Sequence, residues 1–240
     1  MTHRMELMSW TDFDQMRSST DLSIIPVGAT EVYGPHLPLG SDGLVAQKVA
    51  EMLAEKCGAI VAPLVPVGYS RKLSDFPGTL WVKGQVLAEY LRGICIGLIE
   101  WGLRRLLFIN GHLGNVGPIS ELAEDIQITL GVRCAQVDWW RFVQEVSRDI
   151  VETSHPFGHA GEVCTSVLMY LYPDLVDMNK ASTDKGPKDL YLDVIKYPRH
   201  RELTASGVIG DPTKASVEKG RIIVSRALDR LVGFVEEAFR

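Results

Sequence analysis

Cysteine is scarce and scattered. Cys57, Cys95, Cys134 and Cys164 are the four in 240 residues, and none stands in a CxxC pair. That spacing offers neither a zinc knuckle nor a disulfide framework, and burial as free thiols is the expectation for the first three. No run of about 18 apolar residues occurs, so no bilayer-spanning helix is expected. The opening stretch, MTHRMELMSW, lacks the charged start and unbroken apolar stretch of a signal peptide. Positive charge is also in deficit: 25 Lys and Arg against 30 Asp and Glu give a formal net charge of -5, which supplies no drive toward nucleic acid or anionic membrane. A cytoplasmic protein with a small-molecule substrate is the expectation.

What is present is an ordinary globular composition, 46% hydrophobic and 23% charged, enough for one domain spanning residues 1–240. Short runs rich in Val, Ile and Leu alternate with longer amphipathic stretches. That is the pattern of parallel strands buried on both faces by crossover helices, hence an α/β fold. Strands are predicted at Leu22 to Gly28, Ala59 to Gly68, Arg104 to Asn110 and Val132 to Val137. Pro63 and Pro66 mark the second as one that breaks early or lies at an edge. Helices are predicted at Gly43 to Cys57, Gln85 to Trp101, Ser120 to Leu130, Trp139 to Val151, Val163 to Tyr172 and Lys214 to Phe239. Asn179 to Asp211 reads as a long excursion with little periodicity, of the kind that forms a lid or an interface arm.

Three segments carry residues suited to chemistry. GATEVYGPHLPLGSD (Gly28 to Asp42) puts Glu31, Tyr33, His36 and Asp42 just past the first strand, where ligands bind in parallel α/β sheets. Carboxylates and imidazoles together suit zinc, manganese or iron. The loop alone leaves a second reading open, with Glu31 and Asp42 as helix caps and His36 bonded to backbone. FINGHLGN (Phe108 to Asn115) presents His112 at another strand end, between glycines that let the backbone approach closely. If the two strands are neighbours, Glu31, Asp42 and His112 converge. GHAGEVCTS (Gly158 to Ser166) places His159 and Glu162 at a helix start, where Glu162 is a ligand, a proton carrier or simply a carboxylate favoured by the helix dipole.

Taken in order, PVGATEVYGPHLPLGSD, NGHLGN and HAGEVCTS resemble the three motifs of the creatininase family, and FPGT (Phe76 to Thr79) and GDPTKAS (Gly210 to Ser216) look like further family features. The resemblance covers nearly the whole chain. It implies a three-layer α/β/α sandwich around a mainly parallel sheet, a homo-oligomer such as a hexamer, and one or two divalent metals per chain, zinc first and manganese or iron as alternatives. It also implies roles: Glu31 and His112 as ligands, Asp42 as the carboxylate that bridges two metals, and His159 as the group that delivers a proton to the leaving atom. The reaction implied is attack of metal-activated water on a carbonyl carbon.

The departures from the family pattern gather around one site. Tyr33 stands where the family usually has a histidine and Cys164 where the third motif has a glutamate; Gly114 stands where creatininase has a glutamate, though many relatives of the family also have glycine there. The second metal is therefore expected to be lost, weakened or held differently, with Tyr33, His36, Cys164, Glu162 and Trp140 as candidate replacement ligands or substrate contacts. For Trp139 core packing is expected; for Trp140, core and pocket lining weigh equally. Arg71, Lys72 and Lys83 suit an anionic substrate group, although solvated surface charge accounts for them as well. The expected function is hydrolysis of a cyclic amide, a formamide or an inositol- or sugar-derived ketone. The alternatives are a non-catalytic relative and a metal-dependent lyase or isomerase.

Overall fold

The strands are hydrophobic on both faces because each face meets a helix layer. The computed structural model describes residues 2–187, 194 and 196–240, and in it β1 (Leu22–Val27), β2 (Ile60–Val61), β3 (Arg105–Asn110) and β4 (Arg133–Asp138) form one parallel sheet in the order β2-β1-β3-β4. Alternate residues point to opposite sides. Leu22, Ile24, Leu107 and Ile109 join one core with helices α2 (Ser41–Cys57), α7 (Glu162–Leu171) and α9 (Val217–Gly233). Ile25, Val27, Leu106 and Phe108 join the other with α3 (Gly84–Glu100) and α4 (Val116–Leu130), with Phe13 and Met16 of α1 (Trp10–Arg17) at its margin. The result is the expected three-layer α/β/α sandwich.

β1 and β3 are direct neighbours, with Val27 opposite Asn110. The segments that follow them therefore emerge side by side. Between them sits the first turn of α2. A Cβ on Gly28 would lie 2.3 Å from the Gly43 Cα, and one on Gly111 would lie 2.2 Å from the Asp42 carbonyl oxygen, so only glycine allows the helix start to wedge between the two strand ends.

The structure differs from the sequence expectations in several elements. β2 is only two residues long at the sheet edge, with an isolated bridge from Val65 to Val27 beyond it; the prolines remove ladder donors there. α4 starts at Val116, four residues before the predicted Ser120, directly from the NGHLGN turn. The helix predicted over Trp139 to Val151 is instead two short turns, α5 (Trp139–Phe142) and α6 (Gln144–Ser147). Within the Asn179 to Asp211 excursion a short helix, α8 (His200–Leu203), forms; residues 188–193 and 195 lie outside the described residues. All four cysteines are free, but Cys57 and Cys134 are only half-buried. No helix of the described residues is long and apolar enough to cross a membrane.

Candidate metal centre

Glu31, Asp42 and His112 meet at the carboxyl ends of β1 and β3. His112 Nδ1 lies 3.2 Å from Glu31 Oε2 and 3.2 Å from Asp42 Oδ2, and all three side chains are buried. Among the described residues they are the one group of His, Cys, Asp and Glu whose donor atoms lie within 4.8 Å of one another. Asp42 is not in the loop but in the first turn of α2, so a rigid helix start aims it. Glu31 is fixed through its backbone, its N–H donating to the Leu39 carbonyl at 2.9 Å.

The asparagines of NGHLGN brace the histidine. Asn110 Oδ1 accepts the His112 N–H at 3.1 Å, and its amide donates to Asp138 at 2.9 Å. Asn115 donates to the Gly28 carbonyl at 3.0 Å and accepts the Tyr69 N–H at 2.9 Å, tying the ends of three strand segments together. His112 Nε2 is 3.2 Å from the Tyr69 carbonyl and 3.3 Å from Ser70 Oγ. Donation to the carbonyl fixes the tautomer, and Nδ1 faces the carboxylates with a lone pair when the imidazole is neutral. Asn110, Asn115 and Ser70 went unassigned in the sequence, although both asparagines lie inside a motif that drew attention for its histidine.

Charge explains why these groups stand together. Burial alone lowers the His112 pKa, but the Glu31 and Asp42 carboxylates outweigh it and push it up to about 10. Burial also works to raise Glu31, which the His112 charge and hydrogen bond overcome, leaving it lowered. Asp42 is raised, by burial first and then by the Glu31 charge. Two buried carboxylates and an imidazole thus demand positive charge, and Glu31 Oε2 has no partner other than His112 Nδ1 at 3.2 Å. A buried carboxylate oxygen whose one partner is an imidazole shared with a second carboxylate is costly in a merely structural site. Hard oxygens plus one imidazole nitrogen fit a divalent zinc, manganese or iron ion.

A cavity of ≈ 230 Å³ opens above this group, lined also by Tyr33, Trp140, His159, Cys164 and His200. Trp140 donates its indole N–H to Asp42 Oδ1 at 2.8 Å. The Tyr33 hydroxyl is 3.8 Å from Cys164 Sγ; burial, with the Asp42 charge next, raises the phenol well above its ordinary value, and burial pushes the Cys164 thiol up to about 12. His159 stacks against Tyr33 with centroids 4.3 Å apart and donates from Nε2 to the Val32 carbonyl at 2.7 Å. His200, which sequence reasoning missed, packs edge-on against His159 at 4.9 Å. It reaches the cavity from α8, and no local motif marks it.

Two candidates lie elsewhere. His36 is buried against α7, its Nε2 3.0 Å from Thr165 Oγ1, and burial lowers its pKa to about 4. It bonds a side chain, not backbone, and does not reach the cavity. Glu162 is saturated: it accepts Lys219 Nζ at 2.6 Å and the N–H groups of Glu152 and Thr153 at 3.1 and 2.8 Å. It anchors the loop that carries His159 and is not aimed at the ligands. That loop bends through Ala160 at φ 55, a left-handed conformation unusual for alanine. Arg71 covers the Trp81 ring at 4.3 Å and Lys72 lies 5.1 Å from the Tyr197 ring; neither lines the cavity, nor does Lys83.

The creatininase family model, described as creatinine amidohydrolase, matches residues 6–235. The chain belongs to the creatininase family. It is similar to the creatinine amidohydrolase of Pseudomonas putida, 27% identical over 97% of this chain and 95% of the relative. It is also similar to a 3-dehydro-scyllo-inosose hydrolase of Thermotoga maritima, 29% identical over 97% and 82%, and to the mycofactocin precursor peptide peptidase of Mycobacterium tuberculosis, 29% identical over 91% and 86%. A solved manganese creatininase superposes with a TM-score of 0.83 at 25% identity, covering 100% of this chain and 99% of the other. A variant creatininase of the Zn-Zn type matches with the same TM-score, identity and coverage. With family, fold and donor group in agreement, the chain is a metal-dependent hydrolase.

Proposed function

We propose that the cavity is the active site, that Glu31, Asp42 and His112 hold the divalent ion, and that the substrate is a small polar carbonyl compound. The observation that carries this is the convergence of the three buried donors within 4.8 Å at the cavity floor, with Glu31 Oε2 paired to nothing but His112. Bound there, a divalent ion supplies Lewis acidity, acidifying water and polarising a carbonyl oxygen.

The protein's own groups do the rest. Trp140 holds Asp42 in one orientation through the indole N–H. Because His159 Nε2 already donates to Val32, its Nδ1 is the nitrogen left to carry a proton. In hydrolysis a water oxygen joins the carbonyl carbon and the bond to the leaving atom breaks. His159 accepts a proton from the incoming water and returns it to the leaving atom. Glu162 serves this step indirectly, by pinning the loop on which His159 rides.

The cavity, at ≈ 230 Å³, is below the range of about 300–1,000 Å³ usual for drug-sized ligands. A compact cyclic amide, a formamide or an inositol- or sugar-derived ketone suits it. A peptide, the substrate class named for the mycobacterial relative, is a poorer fit. Screening these three classes in water labelled with heavy oxygen tests the proposal. Label incorporated by the wild type, and at least about 10²-fold more slowly by His159→Gln, supports it. Turnover without label would instead point to lyase or isomerase chemistry.

A further inference from the structure

The two oxygens of Asp42 are used differently. Oδ2 faces His112 Nδ1 at 3.2 Å, beside Glu31. Oδ1 accepts the indole N–H of Trp140 at 2.8 Å, and both residues are buried. A carboxylate that bridges two ions in the two-oxygen mode gives one oxygen to each. An indole N–H is a donor without a lone pair, so a cation approaching Oδ1 from that side meets a positive hydrogen and a ring rather than a ligand.

Among the described residues the wall beyond Oδ1 offers no further carboxylate; its polar groups include the Tyr33 hydroxyl, the Cys164 thiol and the His159 imidazole, which already donates to the Val32 carbonyl. Tyr33 sits 6.3 Å from the Trp140 ring with its hydroxyl in reach of both Asp42 and Cys164 Sγ, the latter at 3.8 Å, and Cys164 Sγ lies 3.7 Å from the Gly158 carbonyl. Gly114 brings no side chain, and a Cβ there would meet His112 Nε2 at 2.4 Å. His36 is bound to Thr165, and Glu162 to Lys219. Among the described residues no fourth His, Cys, Asp or Glu joins the group.

We propose that this site takes one divalent ion, not two, and that Trp140 makes Asp42 a terminal ligand by capping the oxygen a bridge would need. The proposal rests on the metal-site reading above and sets this chain apart from its Zn-Zn neighbour. Trp140 acts here as a positioning residue, through Asp42, and not as a wall for substrate alone.

The test is the number of ions per chain, read by native mass spectrometry of the full-length protein under saturating zinc and by the electron paramagnetic resonance spectrum of its manganese form. One zinc per chain and an isolated-ion manganese spectrum are expected. Two zinc ions, or a spin-coupled manganese pair, overturn the proposal while leaving the metal-site reading intact. A chain that binds none overturns both. In the variants, Tyr33→His is expected to stay at one ion while Trp140 remains, and Tyr33→His combined with Trp140→Phe to rise to two. A second ion in Tyr33→His alone, or none gained in the double variant, removes the part assigned to the indole. The wild-type count stands whether or not the variants fold.

Discussion

Two buried carboxylate sites in this protein look alike in sequence and differ in structure. Glu31 and Glu162 each lie within three or four residues of a glycine and near a histidine singled out by its motif, and both are almost fully buried. Glu162 has a lysine and two backbone N–H groups. Glu31 has an oxygen whose one partner is the His112 imidazole, shared with a second carboxylate. A saturated carboxylate holds structure together; an unsaturated one beside like charge is kept because something else binds it. Motif spacing alone could not separate them. Lys219, which decides the matter for Glu162, is 57 residues further along the chain.

Substitutions at the two sites should have opposite effects. Glu31→Gln is expected to abolish stoichiometric zinc binding. Excess zinc should then raise the melting temperature of the wild type, by mass action worth about 2.7 kcal/mol at a hundredfold excess over Kd, and leave the variant unmoved. A variant that still gains the full shift would place the ion elsewhere. His159→Gln should keep the metal and the fold but lower kcat by about 10²–10⁴, the usual worth of a positioned proton carrier. Metal content and kcat measured on one preparation separate that outcome from a structural defect.

Glu162→Ala should do the reverse of Glu31→Gln, destabilising the chain by about 1–3 kcal/mol as the Glu152 and Thr153 N–H groups lose their acceptor while Lys219 keeps Glu152, with the zinc count unchanged. Denaturant unfolding followed beside metal analysis checks both halves; loss of zinc without loss of stability would make Glu162 a ligand after all. The smallest effect concerns His36. Its folded pKa, about 4, lies below its ordinary 6.5, so the unfolded chain takes up the proton first as pH falls. Its contribution is complete above pH 6.5 and is lost as pH falls toward 4. His36→Gln should flatten that part of the melting-temperature profile, and an unchanged slope would mean that other groups carry it.

Much of the floor was legible in the sequence because strand ends, glycines and ligand residues occur together in short segments. Val27 and Asn110 fall in register, so the two motifs meet as soon as β1 and β3 are neighbours, the common arrangement in such sheets. The wall was less legible. Trp140 bonds Asp42 from 98 residues away, and His200 packs on His159 from a segment with no periodicity. α1 was not foreseen, because its apolar face contributes only Phe13 and Met16 to the core margin. The Trp139 to Val151 helix is interrupted at Val143, with both tryptophans of α5 buried in the core and Trp140 bonded to Asp42. Local pattern reports what an element buries, not which distant group completes a hydrogen bond.

The most direct test of the metal centre is anomalous diffraction at the zinc edge from crystals grown with zinc. A peak within bonding distance of Glu31, Asp42 and His112 is the predicted result. A fully occupied zinc bound elsewhere, with these three side chains paired only to one another, would contradict it.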